Sequence, residues 1–319
     1  MFARKIVVIS AGERSSPLHN GGITMKKTIF TGSGVAIVTP MNEDFSINYA
    51  KLGELIDWQI GEGTDAVIIC GTTGESTTMT DDEHVECIRF AVEHTKGRVP
   101  VVAGTGSNDT KYAIWLAKEA KAAGADAQLQ VAPYYNKTSQ LGLVRHFSMI
   151  ADTTDLPIIL YNVPGRTVME IRPETYYELS KHPNIVATKD AGNITACVKT
   201  ASLCGDNLAM YSGEDMQIIP LMSVGGKGVI SVIANVMPKE THEMCSLYLQ
   251  GKAQEAGEMQ CKFAELVDAM FCDVSPMPVK YALNRMGKDV GPCRMPLIEP
   301  SDAAKKQIDT ALKSYGLVV

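Results

Sequence analysis

A chain of 319 residues in which 45% are hydrophobic can bury a large core, and 36 acidic against 30 basic side chains leave a net charge of −6, with no basic block to follow a phosphate backbone. Nucleic acid is therefore not an expected partner. No apolar run reaches the roughly 18 residues of a membrane span, so the chain is expected to be soluble and not membrane-bound. Eight cysteines, at 70, 87, 197, 204, 245, 261, 272 and 293, never form a C-x-x-C pair, which argues against a zinc site or disulfide framework and for reduced thiols in a cytoplasmic protein.

The N-terminal stretch carries no patterned element. Arg4 and Lys5 followed by IVVISAG faintly resemble a signal peptide, but the apolar run is too short for one. Residues 1–24 read as a tag, a misplaced start or a disordered arm, and 1–29 are set apart as a leader. Strand-like runs then follow at GVAIVT (34–39), AVIIC (66–70), VPVVA (99–103), AQLQV (127–131), PIILY (157–161), NIVATK (184–189), LAMYS (208–212) and GVISV (228–232). Helical signals separate them: Thr80 and Glu83 make a capping box before HVECIRFAVEH, Gly97 closes that helix, and a helix over 110–123 ends at Gly124. Strands alternating with helices at roughly 30-residue spacing imply right-handed βαβ units and a parallel sheet. Eight such units point to an α/β fold, a closed (β/α)8 TIM barrel over residues 30–250, with a doubly wound sheet as the competing architecture. From Pro238 the pattern is helical only. KETHEMCSLYLQ completes the barrel, and KAQEAGEMQCKFAELVDAM, PVKYALNRM and DAAKKQIDTALKSY form a C-terminal helical appendage of about three helices over 251–319.

In this fold the active site lies where strands end. The polar residues gather there: GTTGES (71–76), GTGSND (104–109), PYYN (133–136), NVPGRT (162–167), SGED (212–215) and IAN (233–235). Lys189 ends the sixth strand and is expected to point into the same mouth as Thr72, Thr73, Tyr135, Tyr161 and Arg166. A lysine amine attacks a ketone to form a Schiff base, provided that it is neutral. Lowering its pKa from near 10.4 to about 8 costs roughly 3 kcal/mol of disfavoured ammonium, which a dry barrel mouth beside Arg166 can supply. The plainer reading is a lysine that reaches past the strand end to pair with Asp190. Likewise the plainer readings take Gly71 and Gly74 as turn residues, Tyr134 and Tyr135 as packing aromatics and Arg166 as a surface charge. VGGKG (224–228) lies before the eighth strand and lacks a full phosphate-loop pattern, DDEH (81–84) occupies a helix first turn, and His242 and Cys245 read as surface and core, so no metal or nucleotide is implied.

GTTGES, PYYN, YNVPGRT and the strand-final Lys189 together resemble the dihydrodipicolinate synthase (4-hydroxy-tetrahydrodipicolinate synthase) family of aldolase-type barrel enzymes, from about Phe30 to the C-terminus. The resemblance implies a lyase of lysine (diaminopimelate) biosynthesis in which Lys189 forms the Schiff base with pyruvate and no other cofactor is used. Tyr161 would be the main proton donor and acceptor, with Thr72 and Tyr135 completing the relay. Thr73 would hold the pyruvate carboxylate, Ile230 and Gly213 would contact substrate, and Arg166 would bind the carboxylate of L-aspartate 4-semialdehyde. Tyr135 would reach into a neighbouring subunit of a homotetramer built as a dimer of dimers. A regulatory L-lysine site would comprise Ser76, Thr77, His84, Asn108 and Tyr134. There Tyr112 replaces a frequent glutamate and Asp81 a frequent histidine, so weak or absent inhibition is expected unless Asp81 turns inward. Two further departures are the short DAGN run (190–193) and Ser275 in place of asparagine. The alternatives are a sister lyase acting on a sugar acid such as N-acetylneuraminate or a 2-keto-3-deoxy acid, which Arg166 disfavours, and a barrel that only binds.

Overall fold

The computed structural model describes Lys26 and residues 28–318; the leader reading for 1–24 falls outside the described residues. Eight short strands, β1 (Gly32–Ala36), β2 (Ala66–Ile69), β3 (Val101–Gly104), β4 (Ala127–Val131), β5 (Ile158–Asn162), β6 (Ile185–Asp190), β7 (Ala209–Ser212) and β8 (Gly228–Ser231), close into a barrel in sequence order. Each neighbouring pair is parallel, and β1 returns to pair with β8, so the sheet is a TIM barrel and not an open doubly wound one. Strands such as AVII and VVAG are buried at each position, as parallel strands covered by helices must be, which is why they read as continuous apolar runs.

Closure depends on two glycines. Gly32 and Gly228 face each other across the β1–β8 seam with φ of 110° and 146°, and a Cβ on Gly228 would stand 1.8 Å from the Gly32 carbonyl oxygen. No side chain fits there. β1 starts two residues before the GVAIVT run, at a glycine–serine pair that a β-branched pattern passes over, and ends at Ala36.

Inside the barrel, Ile68, Leu129, Ile159, Tyr161, Tyr211 and Ile230 form the central cluster with Phe30. The Phe30 ring stacks on Tyr211 at 4.3 Å, and the Tyr211 hydroxyl donates to the Phe30 carbonyl at 2.6 Å. Outside it, helices pack on the sheet through two larger clusters. Helix Asp81–Thr95 begins at the expected capping box, with Thr80 and Glu83 exchanging side-chain and backbone bonds.

Helix Pro238–Leu249 completes the barrel, and four helices follow: Ala253–Lys262, Ala264–Met270, Met277–Arg285 and Asp302–Ser314. The single helix read over 252–270 is broken at Phe263, where the chain caps one helix and starts the next. The break turns the Phe263 ring into the core against Tyr315; helical periodicity continues through it, which hid the break from the sequence. Among the described residues no helix is long and apolar enough to cross a membrane.

Candidate active site

Side chains alternate across a strand, and on β6 that alternation separates Lys189 from its neighbours. Thr188 and Asp190 face outward, where the Tyr176 hydroxyl donates to Asp190 at 3.0 Å and accepts from Thr188 at 2.9 Å. The Asn162 amide and the Gly192 N–H also donate to Asp190. Lys189 points the other way, so the plain reading, a lysine paired with Asp190, does not hold. β6 also runs one residue beyond Lys189, to Asp190.

In the barrel, Lys189 lies in register between Tyr161 of β5 and Tyr211 of β7. It is 5% exposed, and its Nζ stands over the Tyr161 ring, 4.4 Å from the centroid. Burial pulls its ammonium down from 10.5 to about 8; Asp215 opposes the shift, the Arg166 charge adds to it and Glu214 opposes it. At such a value roughly one amine in ten is neutral at pH 7, against about one in 2,500 for an ordinary lysine. Gly213 makes room for the stem, since a Cβ there would meet Lys189 Cγ at 3.0 Å and Cε at 3.1 Å.

Tyr161 is buried, and burial pushes its phenol up to about 12; the Arg166 charge and a hydrogen bond from Thr72 pull it down, and Glu214 pushes it up. Thr72 and Thr73 ride on a tight turn in which the Gly74 N–H donates to the Gly71 carbonyl and the Glu75 N–H to that of Thr72, both at 3.1 Å. Thr73 is buried on the turn. Arg166 follows from a single helical turn, Pro164–Thr167; it is exposed at the mouth, and its Nη2 donates to the Ser275 carbonyl at 3.1 Å. That acceptor is main chain, so serine in place of asparagine at 275 leaves it unchanged. Thr72, Tyr161 and Arg166 line a cavity of about 270 Å³ together with Ser76, Thr77 and Tyr134; Lys189 is not itself part of its lining. Ile230 lies in the interior cluster with Tyr161. The short DAGN run closes compactly, with Gly192 bonded to Asp190 and Asn193 capping helix Ile194–Cys204.

Tyr135 is not brought to this mouth within its own chain. It is 92% exposed, with a left-handed φ of 66°, while Tyr134 lines the cavity. The five regulatory candidates divide. Ser76 and Thr77 face the catalytic cavity, His84 is buried with Nε2 2.8 Å from the Gly104 carbonyl, and the Asn108 amide donates to the Tyr134 carbonyl. Asp81 accepts the Tyr112 hydroxyl at 2.6 Å.

Sequence reasoning missed two acids beside the lysine. Asp215 is 2% exposed, accepts the N–H groups of Val232 and Ile233 at 3.0 and 2.9 Å, and is pushed by burial to about 6. Glu214 acts on both Lys189 and Tyr161. Their signal was SGED at a strand end, which was noted as polar but given no role for its carboxylates. The VGGKG turn lies at the opposite end, where Val224, Gly225 and Lys227 line a separate cavity with Lys26. No group of three or more His, Cys, Asp or Glu among the described residues is arranged to hold a metal ion.

A closed (β/α)8 barrel with a buried, easily deprotonated lysine at its strand ends defines a barrel protein equipped for Schiff-base chemistry. Residues 29–315 match the Dihydrodipicolinate synthetase family, and the chain belongs to that family. It is 53% identical to the 4-hydroxy-tetrahydrodipicolinate synthase of Thermoanaerobacter sp. (strain X514) over 292 residues, 91% of this chain and 98% of the relative. It is also similar to a solved structure of the chloride-inhibited dihydrodipicolinate synthase of Acinetobacter baumannii with pyruvate, at 40% identity and TM-score 0.89, covering 91% of this chain and all of that one. A monomeric dihydrodipicolinate synthase variant superposes equally well, at 37% identity and TM-score 0.89 over 91% of this chain and 98% of the other.

Proposed function

We propose that this chain condenses pyruvate with L-aspartate 4-semialdehyde to give 4-hydroxy-tetrahydrodipicolinate, in lysine (diaminopimelate) biosynthesis, through a Schiff base on Lys189. The observation that carries the reading is Lys189 itself, a buried amine with its pKa near 8 whose Nζ stands over the Tyr161 ring.

The neutral amine attacks the pyruvate ketone, and loss of one water gives the imine. Tyr161 and Thr72 carry the protons these steps move, without adding a charge to the mouth. Thr73 and the turn's N–H groups hold the pyruvate carboxylate. Loss of a methyl proton turns the imine into an enamine, whose carbon attacks the aldehyde of the second substrate while Arg166 holds that substrate's carboxylate. Attack of the substrate's own amino group on the imine carbon closes the ring and releases Lys189. The Schiff base is the electron sink, so the reaction calls on no separate cofactor. Ile230 and Gly213 shape the pyruvate pocket.

Tyr135, exposed on its own chain, completes the relay from a neighbouring subunit in a cytoplasmic dimer of dimers. Residues 30–250 are the catalytic barrel, and 251–319 brace it. Lysine inhibits weakly, because Asp81 is engaged by Tyr112 and Ser76, Thr77, His84, Asn108 and Tyr134 offer an ammonium chiefly neutral acceptors.

Initial rates with each substrate pair test the reading. Turnover with pyruvate and aspartate semialdehyde, with little cleavage of N-acetylneuraminate, is expected. The reverse preference would install a sugar-acid lyase in its place.

A further inference from the structure

The steps above use neither side chain of a charged pair that lies behind the catalytic turn. Glu75 follows Gly74 in the turn bearing Thr72 and Thr73, and Lys280 belongs to helix Met277–Arg285 of the appendage; each is only 2% exposed. A buried ammonium or carboxylate is tolerated only when its bonding capacity is filled. Here it is. Lys280 Nζ donates to Glu75 Oε1 at 2.8 Å, to the Thr39 carbonyl at 3.1 Å and to the Pro292 carbonyl at 2.5 Å, which uses all three ammonium protons. The other Glu75 oxygen accepts the Arg294 N–H at 2.8 Å.

The same contacts reach the turn by a second route. The Thr39 hydroxyl donates to the Gly74 carbonyl at 2.7 Å, so the strut that receives Lys280 also grips the residue before Glu75. Glu75 itself has a left-handed backbone, φ 58°, a conformation that a non-glycine residue keeps only where its surroundings hold it. The appendage touches the mouth once more at the Ser275 carbonyl, which receives Arg166. An apolar pair of the same volume would fill the space behind the turn with less desolvation. It would not supply directed bonds onto that turn.

We propose that Glu75 and Lys280 are positioning residues: their buried pair fixes the 71–75 turn so that Thr72 meets the Tyr161 phenol and Thr73 faces the pyruvate carboxylate. The inference rests on the roles given to Thr72 and Thr73 above. It makes the appendage part of the catalytic geometry through contacts that touch no substrate.

The test is the double variant Lys280→Met/Glu75→Gln, which removes both charges and so leaves neither buried alone. Its fold is checked by circular dichroism, and steady-state rates are compared with the parent chain and with Ile308→Val, which loosens the appendage core away from the turn. The double variant is expected to raise KM for pyruvate and lower kcat, each by about tenfold or more, with Lys280→Arg recovering part of both. Ile308→Val should leave KM unchanged. If the double variant does not fold, Glu75→Asp alone, which keeps both charges and shortens the arm that joins Lys280 to the turn, is held to the same criterion. A folded variant with both constants within about twofold of the parent, or an equal KM rise in Ile308→Val, would overturn the proposal. Borohydride reduction of the parent with pyruvate separates the two levels: adduct on parental Lys189 with unaffected variants overturns the positioning role alone, and no adduct on the parent overturns both.

Discussion

Lys189 is held at a cost that its chemistry requires. Between pH 8 and 10.5 the unfolded lysine keeps a proton that the folded one has released, so stability rises with pH across that window. Below it the folded state carries the full penalty, about 3 kcal/mol for a shift of this size. Replacing Lys189 by Met, similar in length and without charge, should therefore raise the melting temperature at pH 7 by several degrees while abolishing turnover. Thermal melts of the two proteins at pH 7 check this, and an unchanged or lower melting temperature would mean that the ammonium is better solvated than its burial implies. The same pKa fixes the sign of the rate profile: kcat/KM for pyruvate should climb as pH rises toward about 8, because the neutral amine is the nucleophile.

The strands were legible because parallel, fully covered strands need uninterrupted β-branched and small apolar runs, and AVII and VVAG have no other use. The mouth was legible for the same reason, since polar residues at each strand end stand out against such runs. Elements defined by contacts distant in sequence were not. Lys280 reads as one more lysine on an amphipathic helix, and only the fold brings it to Glu75, 205 positions away. Tyr135 was read into the relay on motif alone, and within its own chain it stands exposed, so only a second subunit could bring it to a mouth. Gly213 gives a prediction at this scale. Gly213→Ala places a methyl at 3.0 Å from Lys189 Cγ and 3.1 Å from Cε, which presses on the stem at two points, and small misplacements of a reacting group are costly. Kinetics should show kcat reduced by about tenfold or more with the fold intact by circular dichroism; an unchanged kcat would show that the lysine has slack at that contact.

In the proposed assembly the proton relay is divided between chains. Tyr135 stands 92% exposed on its own barrel, and aromatic side chains so placed are suited to burial against a partner. Mixed subunits offer a direct check. Tyr135→Phe and Lys189→Ala chains, each nearly inactive alone, should regain part of the parental activity when unfolded and refolded together, because some mouths then combine an intact lysine with a neighbour's tyrosine. No recovery in a mixture that assembles would place Tyr135 outside the relay.

The central claim is that Lys189, alone among the lysines, forms a covalent bond with pyruvate. Borohydride reduction in the presence of pyruvate, followed by peptide mass spectrometry, reads it directly. The account predicts one reduced pyruvyl adduct per chain, on the peptide containing Lys189, with its yield rising as pH approaches about 8. An adduct on another lysine, or none under conditions of turnover, would contradict it.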